Sequence, residues 1–365
     1  MKKVLYIPAD KFACGEYRII QPVKRLMERY NGKGDIEFDL YNDELKNGTK
    51  IEFGEYKIEF GVAIQDFAKD LMKYDAIVFQ RVSDEKILAV MKFLKEQGKK
   101  IYQDIDDDLI HIDPTSPAHK VWHNGSKALI IFIKSLKMCD HIFCSTPELK
   151  ELYKQHNPNI TVIPNAIDIN KYIGVDSRRN ELPEDKVIIG WTGSSTHYSS
   201  LMTIAKNLQG VFKRNPNAIF ALCSNPEFLD LFDIPEAQKM YIPHVKFEEH
   251  FKIPSMFDIN LTPVVNSAFN ESKSELKCLE AGIWGVPSVS TKIAPYERFN
   301  YMSDGANLLV KNNKRQIWEK HIEALIQDKN LRHDLGSKSL DTVIEWYDLD
   351  KVNKQRYEWF KENLL

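Results

Sequence analysis

The segment 269–282 carries charged side chains at a spacing that suits the binding of an anion. If it is helical from about Ser272, the side chains of Lys273, Lys277 and Glu280 lie on one face, at positions i, i+4 and i+7. Two lysines four residues apart repel one another, and an anion such as a diphosphate would offset that repulsion. Glu280 could then hold a pair of ribose hydroxyls. The spacing alone leaves an equal alternative, a solvated face on which Lys277 pairs with Glu280.

A cluster of carboxylates lies at 104–108, where the sequence DIDDD ends a predicted strand, 100–105. The carboxylates could bind Mn²⁺ or Mg²⁺ and, through the metal, a diphosphate. The run could equally be a solvated turn. The metal is disfavoured because the second half of the chain has its own phosphate-compatible segment, so we expect no metal site.

The elements that must position these residues are short apolar runs that alternate with helical patterns. In the first half of the chain, the runs that predict buried strands are 3–7, 75–79, 100–105 and 141–144. A polar segment, 175–185, ends this series, and a second series opens with a strand at 187–191. Strands that alternate with helices imply right-handed crossovers and mostly parallel sheets. The sequence therefore predicts two α/β halves, whose ligands would bind at the carboxyl ends of the strands.

Length and composition exclude several classes of protein. The 365 residues leave room for two domains, and the formal net charge of −2 removes the simplest argument for a nucleic-acid binder. The 5 cysteines lack metal-binding spacing, which predicts reduced, packed thiols. No apolar run is long enough for a signal peptide or a membrane span, so we expect a soluble, cytoplasmic protein with no integral membrane segment.

The segment 273–282, together with the Gly-Val-Pro at 285–287, resembles the donor-binding signature of GT-B glycosyltransferases, most closely the retaining family 4 and its group-1 relatives. Three further segments fit that resemblance: 162–168 (VIPNAID) is similar to the interdomain linker, 190–194 (GWTGS) to the first loop of the donor-binding domain, and 258–263 to the strand before the donor-binding helix. The resemblance covers most of residues 140–300 and weakens toward the N-terminus.

The resemblance implies an α/β protein with the GT-B fold, in which two Rossmann-like domains face each other across a cleft. Residues 1–168 would form the acceptor-binding domain, and residues 169–344 would form the nucleotide-sugar-binding domain. A C-terminal helix within 345–365 would return to the first domain and pack against it. The cleft between the two sheets is then the expected active site.

The activity that the resemblance implies is transfer of a hexosyl group from a UDP- or GDP-sugar to an acceptor hydroxyl, with retention at the anomeric carbon. The nucleotide sugar is the donor substrate, and the resemblance implies no required metal or other cofactor. The acceptor could be a saccharide, a lipid-linked glycan or a modified base in DNA. The sequence chooses neither the nucleotide nor the acceptor.

A second class of function stays open, in which the chain is a non-catalytic, nucleotide-sugar-binding partner of another transferase. Ser272 supports this alternative, because it stands where the family usually has the first of two glutamates. If the chain is active, its contacts to the donor sugar are expected from neighbours of Ser272, namely Asn270, Glu271 or backbone amides of the same loop.

Carried onto this sequence, the resemblance implies site residues in both halves. Contacts to the sugar donor are expected from Gly15, Arg18, Thr192, Gly193, Ser194, Asn270, Glu271, Ser272, Lys273, Ser274, Lys277 and Glu280. Catalytic roles are expected for Asp106, Asp107 and Lys277. In this fold the strand 100–105 ends at the cleft, so Asp106 or Asp107 could orient the acceptor hydroxyl or act as its base. A plain turn and a surface arginine are equal alternatives for Gly15 and Arg18.

The loop 192–197 departs from the family's pattern, because it lacks the Arg and Lys that often hold the diphosphate. We therefore expect Lys273 and Lys277 to carry the positive charge that stabilises the leaving group. Gly193 is expected to let the backbone approach the ligand closely.

Overall fold

A computed structural model describes residues 1–41, 63–114, 116–194 and 197–365 of the protein. Within these residues the strands form two six-stranded sheets in which every pairing is parallel. The strands are β1 (Lys2–Ile7), β2 (Ile36–Leu40), β3 (Ala76–Gln80), β4 (Lys100–Ile105), β5 (His141–Cys144), β6 (Ile160–Val162), β7 (Val187–Thr192), β8 (Ala218–Cys223), β9 (Lys239–Tyr241), β10 (Ile259–Thr262), β11 (Ser288–Thr291) and β12 (Asn307–Val310).

The strand order defines where each sheet can bind a ligand. The first sheet has the order β2-β1-β3-β4-β5-β6, and the second has the order β12-β11-β10-β7-β8-β9. The order reverses beside β1 in the first sheet and beside β7 in the second. At such a point the connections on the two sides diverge and leave a crevice outside the carboxyl ends of the strands. The loops that follow β1 and β7 are therefore well placed to contact a ligand.

Helices connect the strands and cover the two sheets. The α-helices are α1 (Ala13–Gly15), α2 (Gln21–Tyr30), α3 (Ala63–Leu71), α4 (Glu85–Glu96), α5 (Lys127–Met138), α6 (Pro147–Tyr153), α7 (Tyr198–Arg214), α8 (Phe247–His250), α9 (Ala268–Glu271), α10 (Leu276–Gly282), α11 (Ala294–Met302), α12 (Arg315–Gln327), α13 (Lys329–Trp346) and α14 (Leu349–Leu364). A π-helical turn, Glu16–Ile20, joins α1 to α2. Among the described residues, no helix is both long enough and apolar enough to cross a membrane.

Short 3-10 helices complete the connections. They span Pro117–Lys120, Ile169–Lys171, Arg178–Glu181, Pro226–Leu231, Glu236–Gln238, Pro254–Met256 and Lys311–Asn313.

The core of each half lies on both faces of its sheet, as parallel strands require. Every residue of β3 and β7 is buried. On one face of the first sheet, Val352 and Phe360 of α14 join a buried cluster that includes Tyr6 and Phe38. The C-terminal helix therefore returns to the N-terminal half, which confirms the predicted architecture.

The chain crosses between the two halves twice, and the two crossings lie side by side. Ile167 pairs with Asp348 in a parallel bridge. Ile167 N donates a hydrogen bond to Tyr347 O at 2.8 Å, and Leu349 N donates one to Ile167 O at 2.9 Å. The domain boundaries 1–168, 169–344 and 345–365 stay a prediction, and these crossings lie close to them.

The helix predicted from about Ser272 begins later, at Leu276. The preceding helix, α9, is a separate short helix. Ser267 Oγ caps its N-terminus by accepting a hydrogen bond from Asn270 N at 3.2 Å. Ser272 N still donates to Ala268 O at 3.3 Å, at the end of that turn. Lys273 therefore precedes α10, and the predicted stripe of two lysines and a glutamate on one helix face is wrong.

Candidate active site

A cavity of about 480 Å³ lies between the two halves, and residues of both halves line it. Its volume falls within the range of small-molecule sites. We call residues 12–14, 17, 106–107 and 165 its N-terminal wall, and residues 192–194, 197, 244–245, 247, 250, 273–274, 276–277 and 280 its C-terminal wall. The predicted site residues that line the cavity are Asp106, Asp107, Thr192, Gly193, Ser194, Lys273, Ser274, Lys277 and Glu280.

Two lysines form the cationic part of the C-terminal wall. Lys277 Nζ donates a hydrogen bond to Thr192 O and lies 5.3 Å from the centre of the Trp191 ring. Lys273 Nζ lies 4.5 Å from the centre of the Phe269 ring. Burial lowers the pKa of Lys277 to about 8, so its amine is still mostly protonated at neutral pH. Aromatic rings and a carbonyl thus contact the two ammonium groups at the cavity, and Lys273 also pairs with Asp107 of the N-terminal wall, its Nζ lying 3.8 Å from Oδ1.

The loop after β7 lies against the same cavity. Thr192, Gly193 and Ser194 all line it. A Cβ atom on Gly193 would come within 2.6 Å of the Trp191 ring, so internal packing already requires glycine at this position. Burial, with the charges of the two lysines, lowers the pKa of His197 well below its usual range. The His197 ring is therefore neutral, and the lysines supply the positive charge of this wall.

Glu280 is a nearly buried carboxylate on α10 that lines the cavity. Its Oε1 accepts a hydrogen bond from the hydroxyl of Tyr17 at 2.7 Å. Tyr17 belongs to the π-helical turn of the first half, so this bond joins the N-terminal wall to the C-terminal wall. Burial, with the charge of Glu280, raises the pKa of Tyr17 well above its usual range, which keeps the hydroxyl protonated as the donor.

Asp106 and Asp107 follow β4 directly and form the acidic part of the N-terminal wall. Asp106 Oδ1 is buried and has no hydrogen-bond partner among the described residues. Burial raises the pKa of Asp107, although Lys273 opposes the shift with its ammonium 3.8 Å from Asp107 Oδ1. A buried carboxylate oxygen without a partner is costly unless a ligand or solvent satisfies it. Asp106 thus lines the cavity while one of its carboxylate oxygens stays buried without a partner among the described residues.

One group of side chains in the described part of the chain has the geometry to hold a metal ion. Cys14 Sγ and carboxylate oxygens of Asp106 and Asp107 lie within 4.8 Å of one another. Burial, with the charges of the two aspartates, raises the pKa of the Cys14 thiol well above its usual range. A cysteine binds a metal as the thiolate, so a metal would have to displace the proton of the Cys14 thiol. Lys273 already provides Asp107 with a cation.

Arg18, a predicted donor-binding residue, does not line the cavity. It is fully buried, and its Nε and Nη2 donate to the two oxygens of Asp104 at 2.7 Å and 3.0 Å. Its Nη1 donates to Ile163 O at 2.7 Å and to Asn165 Oδ1 at 3.1 Å. All three nitrogens of the guanidinium are thus engaged inside the first half, and Arg18 lies apart from the predicted donor-binding residues that line the cavity.

Gly15, the second candidate of that loop, also lies outside the cavity wall. A Cβ atom there would lie 1.9 Å from Asp10 O, and Gly15 N donates to Asp10 Oδ1 at 3.1 Å. The loop's own backbone therefore requires glycine at this position, and close approach of a ligand is not the reason for it.

Three further predicted residues, Asn270, Glu271 and Ser272, direct their side chains to the protein instead of the cavity. Asn270 Nδ2 donates to Val265 O at 2.8 Å, and Ser272 Oγ donates to Ala268 O at 3.1 Å. Glu271 Oε2 accepts a hydrogen bond from the backbone N–H of residue 294 at 2.8 Å, at the start of α11. These side chains hydrogen-bond within the protein and do not line the cavity, and their contact with the donor sugar stays a prediction.

The structure also brings residues to the cavity that the sequence interpretation missed. Tyr17 lies in the same loop as Gly15 and Arg18, which were predicted to bind the donor. Tyr17 itself belongs to no sequence motif that would have indicated a role. Asn165 lies in the linker-like segment 162–168, which was a usable signal. The remaining cavity residues of this kind are Phe12, Ala13, Cys14, His197, Cys223, His244, Val245, Phe247, His250, Val264, Leu276 and Tyr296.

Further contacts join the two halves beside the cavity. Arg298 Nη1 donates to both carboxylate oxygens of Glu148 at 3.0 Å and 2.9 Å, and Arg298 Nη2 donates to Glu275 Oε2 at 2.8 Å. Two more hydrogen bonds run from Thr146 Oγ1 to Ser272 O at 2.9 Å and from Asn165 Nδ2 to Ser274 Oγ at 2.8 Å. The two walls are therefore held together in this arrangement.

Known structures share this fold over the whole chain. The chain is similar to sucrose-phosphate synthase from Thermosynechococcus elongatus, with a TM-score of 0.72 and 12% identity over 100% of this chain and 99% of that one. It is similar to HepE of Anabaena in complex with UDP-glucose, with a TM-score of 0.72 and 14% identity over 99% of this chain and 100% of that one. No family model and no curated protein matches the sequence.

A third similar structure is a putative UDP-N-acetylglucosamine 2-epimerase from Listeria monocytogenes. Its TM-score is 0.62, with 12% identity over 100% of this chain and 97% of that one. Together with the two parallel sheets and the returning helix, these matches show that the chain has the GT-B fold. The predicted fold is confirmed, while the resemblance to the retaining family 4 stays a prediction.

Proposed function

We propose that the protein is a glycosyltransferase that moves a sugar from a nucleoside-diphosphate sugar to an acceptor hydroxyl. The observation that carries this proposal is the division of charge in the interdomain cavity. Two ammonium groups, those of Lys273 and Lys277, lie on the C-terminal wall, and two carboxylates, those of Asp106 and Asp107, lie on the N-terminal wall. Both kinds of group suit a transfer reaction, because negative charge develops on the leaving diphosphate while a proton leaves the acceptor.

The donor half of the reaction rests on the C-terminal wall. Lys273 and Lys277 would stabilise the diphosphate as its bond to the sugar breaks, which is preorganised electrostatic catalysis. Glu280 would accept hydrogen bonds from ribose hydroxyls. HepE, one of the similar structures, has UDP-glucose bound, which supports a nucleotide sugar as the donor here. We include UDP- and GDP-sugars in the proposal, because the cavity residues do not distinguish the two bases.

The acceptor half rests on the N-terminal wall. Asp106, which lines the cavity, would accept the hydrogen bond of the acceptor hydroxyl and so orient that group or remove its proton. Asp107, whose pKa burial raises, would assist from the neighbouring position. We propose a saccharide or lipid-linked glycan as the acceptor, since the net charge of −2 gives no support to a DNA base.

Retention at the anomeric carbon and independence of metal ions are further parts of the proposal. Retention rests on the resemblance of the segment 273–287 to the retaining family. Metal independence rests on the two lysines, which supply at the cavity the charge that a divalent cation would otherwise bring to the diphosphate.

The proposal is tested first by thermal unfolding with UDP, GDP, ADP and their common sugars, each with EDTA or with Mn²⁺. A ligand at 100 times its dissociation constant adds about 2.7 kcal/mol to the free energy of unfolding, which gives a measurable shift in Tm. We expect one nucleotide to stabilise the protein equally with EDTA and with Mn²⁺, and Glu280→Ala to abolish the shift. The matched control is Glu297→Ala, which changes an exposed glutamate of the same half.

The second step is an assay of the sugar product with the nucleotide sugar that binds. Nucleotide released together with a glycosylated acceptor supports the transferase. Binding without transfer to any acceptor in the panel, and without hydrolysis, would instead favour the non-catalytic partner. Conversion of the sugar without an acceptor would favour an epimerase of the same fold, and the absence of any stabilising nucleotide would overturn the proposal.

A further inference from the structure

The π-helical turn Glu16–Ile20 carries two adjacent residues whose side chains go to different places. Such turns are rare and frequently occur at functional sites, because the extra residue changes the direction in which side chains point. Here Arg18 points into the first half, while Tyr17 reaches the second half at Glu280. The turn therefore connects the interior of one half to the cavity wall of the other.

Arg18 fixes the position of this turn. Its guanidinium donates to both oxygens of Asp104, to Ile163 O and to Asn165 Oδ1, and the side chain is fully buried. Asn165 extends this hydrogen-bond network to the second half, because its Nδ2 donates to Ser274 Oγ at 2.8 Å. The backbone that carries the neighbouring tyrosine is thus anchored both to the first sheet and to the linker.

Tyr17 is held on its other side by an aromatic contact. Its ring packs edge-on against Phe247, with ring centres 5.6 Å apart and an interplanar angle of 80°. Its hydroxyl donates to Glu280 Oε1 at 2.7 Å. A carboxylate can accept several hydrogen bonds, so the bond from the tyrosine leaves capacity for ribose hydroxyls.

We propose that Tyr17 is a positioning residue, which orients the Glu280 carboxylate toward the ribose of a bound nucleoside diphosphate. This inference rests on the proposed function, since it deepens the account of the same nucleotide site. It makes the N-terminal half a participant in selecting the ribose, although the lysines and Glu280 belong to the other half. It also ties nucleotide affinity to the arrangement of the two halves, because the Tyr17–Glu280 bond exists only when the walls face each other as they do here.

The test compares ribonucleotides with deoxyribonucleotides by calorimetric titration. UDP and GDP are titrated into the wild-type protein, and the tighter of the two is then compared with its 2′-deoxy and 3′-deoxy forms. In the wild type we expect the ribonucleotide to bind more tightly than at least one deoxy form. In Tyr17→Phe we expect the ribonucleotide to lose about tenfold in affinity while that deoxy form loses little, so that the discrimination falls.

Two variants make the result specific. Tyr74→Phe is the matched control, because Tyr74 also donates its hydroxyl to a carboxylate, that of Asp39, and neither residue lines the cavity. It should bind all nucleotides as the wild type does. Glu280→Gln tests the partner, and adding Tyr17→Phe to it should change the ribose discrimination no further.

The outcomes that overturn the inference are distinct. If Tyr17→Phe weakens the ribo and deoxy forms equally, or leaves both unchanged while Glu280→Gln removes the discrimination, Tyr17 does not position Glu280. If the wild type binds neither UDP nor GDP, the proposed function fails and the inference fails with it. A thermal unfolding curve of each variant identifies any loss that comes from misfolding.

Discussion

The two walls of the cavity differ both in chemistry and in how the chain builds them. The C-terminal wall takes its charged residues from one short stretch, 273–280, which places two ammonium groups and a carboxylate within eight residues. The N-terminal wall takes its residues from three separate segments, which include Tyr17, Asp106 and Asn165. One wall suits a leaving diphosphate and the other suits a hydroxyl that loses a proton. The charged residues of the proposed donor site thus come from one local stretch of sequence, whereas the residues of the proposed acceptor site come together only through the tertiary fold.

The largest effect is expected from removing a charge of the C-terminal wall. Lys277→Met should lower kcat/KM for sugar transfer by about 10²–10³-fold, because the ammonium stabilises charge that develops in the transition state. It should also weaken nucleotide binding, which calorimetry measures. Lys292→Met is the control, since this exposed lysine of the same half pairs with Glu297 at 3.0 Å, away from the cavity. Equal losses in both variants would contradict the role of Lys277.

A change in the N-terminal wall should affect catalysis and leave donor affinity intact. Asp106→Asn is expected to lower kcat by about 10²-fold, because an amide cannot take the proton of the acceptor. The dissociation constant of the nucleotide should stay within about twofold of the wild type, since the lysines and the glutamate proposed to bind the phosphates and the ribose lie on the other wall. Asp304→Asn, at an exposed site, is the control. If Asp106→Asn abolishes nucleotide binding, the division of labour between the walls is incorrect.

The contact between the walls can be tested through stability. Arg298→Met should lower the free energy of unfolding by roughly 2 kcal/mol, because it leaves the carboxylate of Glu275, which is only 4% exposed, without the hydrogen bond and charge of its partner. Glu148→Gln breaks the other pair of Arg298, which joins the two halves near the surface, and should cost less than about 1 kcal/mol. Denaturant titration of both variants measures the difference. A larger loss for Glu148→Gln would mean that the contact between halves dominates.

The smallest effect is expected from pH. Because burial lowers the pKa of Lys277 to about 8, its ammonium is present below that pH and is lost as pH rises through it. Nucleotide affinity should therefore fall above about pH 8, by at most tenfold per pH unit for one proton. Lys277→Arg keeps its charge at these pH values and should flatten the fall. An unchanged profile in Lys277→Arg would assign the titration to another group.

The architecture and the charged residues of the C-terminal wall could be predicted from the sequence, because both depend on local sequence patterns. Alternating apolar runs predicted the parallel strands, and Lys273, Lys277 and Glu280 reach one cavity although they do not share one helix face. The error in the helix start arose because residues 268–271 form a separate short helix, α9, which Ser267 caps at its N-terminus, and α10 begins only at Leu276.

The N-terminal wall was harder to predict because burial, and not residue type, separates its functional residues from its structural ones. Arg18 has the charge that suits a phosphate, yet its guanidinium pairs with the Asp104 carboxylate inside the first half. Its neighbour Tyr17 is the residue that reaches the cavity. Tyr17 does so from a π-helical turn, which no sequence pattern predicted. Asp104 is separated from this loop by many residues, so only the folded sheet reveals the pairing.

The measurement that tests the account most directly is a crystal structure of the protein with its preferred nucleoside diphosphate, grown with EDTA present. We predict the diphosphate against the ammonium groups of Lys273 and Lys277 and a ribose hydroxyl on Glu280, with Asp106 left free for an acceptor. A nucleotide that instead lies against Asp106 and Asp107 and binds only when Mn²⁺ replaces EDTA would contradict the account. So would a nucleotide bound outside the cavity.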